Sequence, residues 1–219
     1  IDYLLIGEAD DSFVELTSAL TNRENVNGIK GLLANKNGEL VGEGSVSLIR
    51  NLDNLAFVEL DKLYDLSQFY PPVHIRGTKA VNIVSVRGCP YPCTFCAAAE
   101  VNGRKLRALS VNRFVDYIES YTRKGFDSFL IYDDTFTINR KRAMEISREI
   151  VARKLNIVWN CWSRADCVDV EMLSYMRDAG CYLIMYGCES MNQKTLDRLK
   201  KNLTVEQNQK GIEIAKQSG

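Results

Sequence analysis

Four short apolar runs, each ending in a polar cluster and each followed by a helical pattern, constrain this chain more than any other feature. They occupy residues 81–86, 128–132, 157–162 and 182–186. Each is rich in β-branched or aromatic side chains and short enough to be a strand. Helical stretches follow at 111–124, 140–155, 170–179, 193–200 and 205–217, the first carrying Phe114, Val115, Ile118 and Tyr121 at helical spacing. Ser110 and Thr204 suit helix N-caps, and Gly125 and Gly180 suit helix stops. Parallel strands need long crossover connections, so strand–helix alternation predicts an α/β fold with a parallel sheet. In such folds the chemistry gathers at the C-terminal ends of the strands. Here those ends carry Asp133-Asp134-Thr135, Ser163-Arg164-Ala165-Asp166 and Gly187-Cys188-Glu189-Ser190.

The first strand runs into Arg87-Gly88-Cys89-Pro90-Tyr91-Pro92-Cys93-Thr94-Phe95-Cys96. Glycine and two prolines end the strand and force a tight loop. The loop presents three thiols in C-x₃-C-x₂-C spacing, a soft donor set that selects iron–sulfur clusters, zinc or copper(I). A closed structural zinc site wants four protein ligands, and a cubane cluster usually has four cysteines. Three cysteines leave one iron with an open position where a small molecule can bind.

This loop resembles the signature of the radical S-adenosylmethionine (SAM) superfamily. Cys89, Cys93 and Cys96 match its cluster ligands, and Phe95 matches the aromatic residue before the third cysteine. The runs YDDTFTINRKR, WNCWSRAD and YGCESMNQKTLDRLKKNLT extend the resemblance along the chain, toward the branch that carries cobalamin-binding domains. It implies an incomplete parallel βα barrel, a 4Fe-4S cluster, and SAM chelating the fourth iron. Reductive cleavage of SAM would then give a 5′-deoxyadenosyl radical. By the same resemblance, Asp133 or Asp134 would accept the SAM ammonium, Arg164 would pair with its carboxylate, and Glu189 and, more weakly, Ser190 would meet its ribose or methionyl part. It further implies a small-molecule substrate, an external one-electron donor such as flavodoxin or ferredoxin, and methyl transfer if cobalamin binds upstream.

Residues 1–28 read as a buried strand followed by a helix from about Ser12, and resemble the last βα unit of a Rossmann-like, cobalamin-binding domain. The histidine motif that offers a ligand to cobalt is absent; His74 is the only histidine and is expected to be a surface or packing residue. Residues 29–79 read as a hairpin about Asn37-Gly38 and an interdomain linker, and residues 80–219 as a truncated radical SAM core. The chain is therefore expected to be an internal piece of a longer protein, with an open site.

Two other classes compete. A methylthiotransferase of transfer RNA or protein would need further cluster cysteines upstream, and residues 1–80 contain none. A non-catalytic zinc- or cluster-binding module would need a fourth ligand, for which His74 and Cys161 are the candidates. The chain has 28 basic and 28 acidic residues, which gives no field to attract nucleic acid or an anionic membrane. Arg104-Lys105-Leu106-Arg107 is the one basic cluster and reads as the cap of a solvated loop. No apolar run reaches the roughly 18 residues of a membrane span. An odd count of seven cysteines, three in cluster spacing, points to a reducing cytoplasm. Trp159 and Trp162 are expected mostly in the core, and Cys161, Cys167, Cys181 and Cys188, which have no ligand spacing, as core or surface thiols.

Overall fold

The computed structural model describes residues 1–45, 48–71 and 75–219. His74 lies outside them. The chain opens with β1 (Tyr3–Leu5) and α1 (Asp10–Asn22), followed by the expected hairpin of β2 (Leu32–Lys36) and β3 (Glu39–Gly42). Asn37 (φ 58°) and Gly38 (φ 94°) form its turn. Two successive left-handed residues give the turn twist that two-residue hairpins favour. β1 adds to the outer side of the hairpin, antiparallel to β2, with Tyr3 opposite Ala34 and Leu5 opposite Leu32. The expectation of a buried first strand is corrected: Tyr3 and Leu4 are 36% and 40% exposed. β1 is an edge strand, and the small core formed by Leu16, Ile29 and Leu32, with Leu5 against it, covers little of it.

The connector is docked rather than free. It contains three single turns of 3₁₀ helix, Leu52–Asn54, Leu60–Lys62 and Leu66–Gln68. Leu52 is buried, Asp53 accepts from the Ser110 backbone N–H at 2.8 Å, and Phe57 stacks on Tyr117 with ring centroids 4.6 Å apart.

The remaining strands and α-helices are β4 (Ala80–Ile83), β5 (Val86–Arg87), α2 (Ala98–Val101), β6 (Arg107–Ala108), α3 (Val111–Thr122), β7 (Ser128–Ile131), α4 (Arg140–Ala152), β8 (Val158–Ser163), α5 (Val170–Asp178), β9 (Cys181–Tyr186), α6 (Gln193–Arg198) and α7 (Val205–Ser218), with one more 3₁₀ turn at Phe136–Ile138. β4, β7, β8 and β9 form one parallel sheet in that order, an open βα arrangement as expected. Phe114, Ile118, Phe129, Ile131, Ile146, Trp159, Met172 and Met176 fill the core. They come from alternate positions of the strands and from the apolar stripes of α3, α4 and α5. The other sheet face is more open: Tyr132 and Trp162 are 48% and 40% exposed, so Trp162 is not the core residue expected. Helix ends follow local chemistry. Ser110 caps α3 and Thr204 closes a capping box on α7, both as read from the sequence. Asn139, Asp169 and Asn192 cap α4, α5 and α6.

The stretch 81–86, expected as one strand, is two. β4 ends at Ile83, and Val86-Arg87 leaves the sheet to pair antiparallel with Arg107-Ala108.

Candidate active site

The break in the first strand is caused by Asp133, which follows β7. Its carboxylate is 1% exposed. It accepts from the backbone N–H of Ser85 (2.6 Å) and of Val86 (2.9 Å) and from the Ser85 hydroxyl. Those backbone groups would otherwise serve the sheet. Arg142 of α4 completes the network, donating to the Ser85 hydroxyl at 3.1 Å and to the Leu109 carbonyl at 3.1 Å. Burial pushes the Asp133 carboxyl up, against the pull of these donors and of the Arg142 charge. Both carboxylate oxygens are thus engaged at the root of the cysteine loop.

The loop leaves β5 through Gly88. Its φ of +99° is left-handed, and a Cβ there would sit 2.3 Å from the Lys105 carbonyl oxygen, so the position requires glycine. Cys89 N–H donates to the Gly103 carbonyl at 3.0 Å and Cys96 N–H to the Cys93 carbonyl at 3.4 Å. The Ala98 N–H points at Cys96 Sγ, 3.4 Å away. Cys89 and Cys93 are half-buried, Cys96 is exposed, and all three are free thiols. Burial pushes the Cys89 thiol up, and the nearby Asp134, Cys96 and Cys93 add to it while a backbone hydrogen bond opposes. Among the described residues no three Cys, His, Asp or Glu side chains are gathered closely enough to hold a metal ion. The donor set nevertheless fits an iron–sulfur cluster: three accessible soft thiols on one loop, of the kind that a bound metal deprotonates. Cys161, weighed as a fourth zinc ligand, is fully buried in β8.

The far side of the loop meets the ends of β8 and β9. Arg164 is 3% exposed and its guanidinium carbon lies 3.7 Å from the Tyr91 ring centroid. Glu189, left-handed at φ 59°, is exposed and pairs with the buried Lys201 at 2.9 Å. Lys201 Nζ in turn lies 5.7 Å from the Phe95 ring centroid. Ser190 accepts from the Asn192 N–H at 3.1 Å, and Asn208 holds the carbonyls of Cys188 and Ser190 at 3.1 and 3.2 Å. Asp134 is exposed and faces a cavity of about 340 Å³ that it shares with Glu8, Asp10, Arg87 and Tyr132. Partial desolvation beside this cavity pushes its carboxyl up, against a hydrogen bond from Asn102. The structure thus leaves Asp134 exposed at the strand ends, pairs the exposed Glu189 with Lys201, and engages Asp133 and Arg164 with buried protein partners.

Sequence reasoning missed the contacts of the N-terminal unit. Arg107 is not part of a solvated loop: it is buried and binds Glu8 through two hydrogen bonds, at 2.7 and 2.6 Å. Arg87, at the base of the cysteine loop, binds Asp10 through two more, at 2.7 and 3.0 Å. The acidic turn after β1 was a visible signal; its basic partners lie 77 and 99 residues away, too far for local pattern to reveal.

The sequence profile of the Radical SAM superfamily matches residues 83–219, from the end of β4 to the last residue of the chain. The chain belongs to the radical SAM superfamily. Members of that superfamily use a 4Fe-4S cluster and SAM. Over its full length the radical SAM chain is 30% identical to an uncharacterized methyltransferase of Pyrococcus horikoshii and 29% identical to the anaerobic magnesium-protoporphyrin IX monomethyl ester cyclase of Rubrivivax gelatinosus. It spans 47% and 40% of those proteins. Two solved structures share its fold. One is OxsB, a cobalamin-dependent SAM radical enzyme with aqua-cobalamin and SAM bound; its TM-score is 0.82 at 22% identity, over 97% of this chain and 31% of that one. The other is the radical SAM methyltransferase TsrM of Kitasatospora setae with tryptophan and a SAM analogue; its TM-score is 0.75 at 18% identity, over 100% of this chain and 44% of that one. None of the helices among the described residues is long and apolar enough to cross a membrane.

Proposed function

We propose that this chain is the cluster- and SAM-binding part of a radical SAM enzyme that modifies a small molecule, by methyl transfer with cobalamin held by an upstream domain. The observation that carries the reading is the cysteine loop itself: three free thiols at the C-terminal edge of a parallel sheet, rooted by Asp133 and flanked by the exposed Asp134 and the Lys201-paired Glu189. Cys89, Cys93 and Cys96 would hold the cluster, which supplies the electron that cleaves the carbon–sulfur bond of SAM. Asp134 is suited to accept the SAM ammonium, and Glu189 and Ser190 to receive its ribose or methionyl part. Asp133 and Arg164 support these residues from within the protein. Residues 1–28 would be the last unit of the cobalamin-binding domain, residues 29–79 the hairpin and connector, and residues 80–219 the beginning of the catalytic core. A methyltransferase relative and the cobalamin-bound fold neighbour OxsB support this assignment. A one-electron donor of the flavodoxin or ferredoxin class would act at the exposed Cys96 side. Seven free thiols among the described residues support a reducing compartment, the cytoplasm.

The test is anaerobic reconstitution of the intact protein with iron and sulfide, followed by electron paramagnetic resonance of the reduced state with and without SAM. The expected result is a cubane signal that changes on adding SAM and vanishes in Cys93→Ala. Stoichiometric zinc, or a cluster signal indifferent to SAM, would rule the proposal out.

A further inference from the structure

We infer that Tyr91 and Arg164 form a clamp that sets the shape of the cysteine loop, so that Arg164 is a positioning residue for the cluster rather than a partner of the SAM carboxylate. The inference rests on the cluster reading above. A guanidinium recognises a carboxylate through two N–H groups on one edge. Both such edges of Arg164 are occupied. Nε and Nη2 donate to the two oxygens of Asp166, each at 2.9 Å. Nη1 and Nη2 donate to the carbonyls of Lys201 and Asn202, at 2.8 and 2.9 Å. One N–H remains of the five, too few for a bidentate ligand.

What Arg164 still offers is its flat face, and Tyr91 covers it at 3.7 Å. Tyr91 is two residues from Cys89 and two from Cys93, so fixing its ring fixes the path between two thiols. Its hydroxyl lies 3.4 Å from Cys167 Sγ, in the loop after β8. Further along, Thr94 N–H donates to the Leu199 carbonyl at 3.0 Å. The receiving turn is a built surface: Lys200 and Asn202, on either side of Lys201, are both left-handed at φ 50°. For a lysine that conformation is uncommon, and here Lys200 stops α6 while Asn202 turns the chain toward α7. The loop that carries the thiols is therefore seated on residues 163–167 and 199–202 through the stacked Tyr91 ring, its hydroxyl beside Cys167, and the hydrogen bonds of Thr94 to the Leu199 carbonyl.

The decisive comparison is Tyr91→Phe against Tyr91→Leu in the intact protein, because Arg164 is buried and its own replacement could prevent folding. Both variants and the wild type are reconstituted with iron and sulfide, checked for unchanged melting temperature, and challenged with an iron chelator. Phenylalanine keeps the ring over the guanidinium and should release iron within about twofold of the wild-type rate, with the same resonance spectrum; leucine loses the cation–π contact and should release iron about tenfold faster, with a shifted spectrum. Wild-type release and spectrum in Tyr91→Leu, or equal loss in both variants, would overturn the clamp while leaving the cluster reading intact. A wild type that takes up no iron, with Cys93→Ala no different, would overturn both.

Discussion

Glu8→Ala should loosen the attachment of the N-terminal unit to the base of the cysteine loop. Glu8 and Arg107 side chains are 4% and 7% exposed. The substitution removes both oxygens that bind the guanidinium and the acceptor for the Ile49 N–H at 2.8 Å. Arg107 keeps only the Ile49 carbonyl at 2.7 Å and the Asn102 carbonyl. Breaking a buried ion pair from one side costs about 3 to 5 kcal/mol, because a charge is left without its counterion. The two remaining carbonyls place the expected loss near the lower end, about 3 kcal/mol. In a chain of this size that corresponds to a fall of about 6 to 12 °C in melting temperature. Thermal denaturation followed by circular dichroism reads it directly. The double variant Glu8→Ala/Arg107→Met removes the orphaned charge and should recover most of the loss, since apolar replacement of a buried pair is often close to neutral. A loss below about 1 kcal/mol for Glu8→Ala, or additive losses in the double variant, would refute the ion-pair account.

Three further outcomes follow from the same geometry. Asp133→Asn leaves Arg142 without its buried counterion and weakens the acceptor for Ser85 and Val86, and should cost about 2 to 4 kcal/mol in urea denaturation while lowering the iron retained by the cysteine loop. Gly88→Ala places a methyl group against the Lys105 carbonyl in a left-handed backbone and should abolish iron binding on reconstitution, measured as iron per chain. For Glu8, burial pushes the carboxyl up, but hydrogen bonds from Arg107 and the Ile49 N–H and the Arg107 and Arg87 charges outweigh it, and the net shift is downward from 4.5. Its stabilisation is therefore complete above that ordinary value and disappears as the pH falls through the lowered one. Melting temperatures measured from pH 7 to about pH 3 should fall more steeply for the wild type than for Glu8→Gln.

Local pattern revealed what local forces decide. The parallel sheet, the Asn37-Gly38 turn and the Ser110 and Thr204 caps depend on neighbours a few residues away, and each was readable in the sequence. The cysteine loop was readable too, because its spacing is itself local. The hydrogen-bond partners of Asp133 and Arg164 were not. Both stand at strand ends where a ligand contact is a reasonable expectation. Their hydrogen bonds are taken up by groups elsewhere in the fold, Ser85 and Val86 for one and Asp166, Lys201 and Asn202 for the other. The split of residues 81–86 has the same origin. Six residues of good strand propensity yield to a carboxylate 48 positions away in sequence, a tertiary contact overriding propensity.

The Thr94–Leu199 contact joins residues 105 positions apart, and this has a consequence for the order of assembly. Closing so long a loop carries an entropic cost that must be met before the contact stabilises anything. Contacts of this range form late, after the local strand–helix units have condensed. During synthesis the three thiols emerge about a hundred residues before the turn that seats them. Iron offered to the nascent chain would meet cysteines on an unshaped strand end. The seat of the thiols is therefore complete only once residues 199–202 have been made and packed, well after the cysteines themselves have appeared.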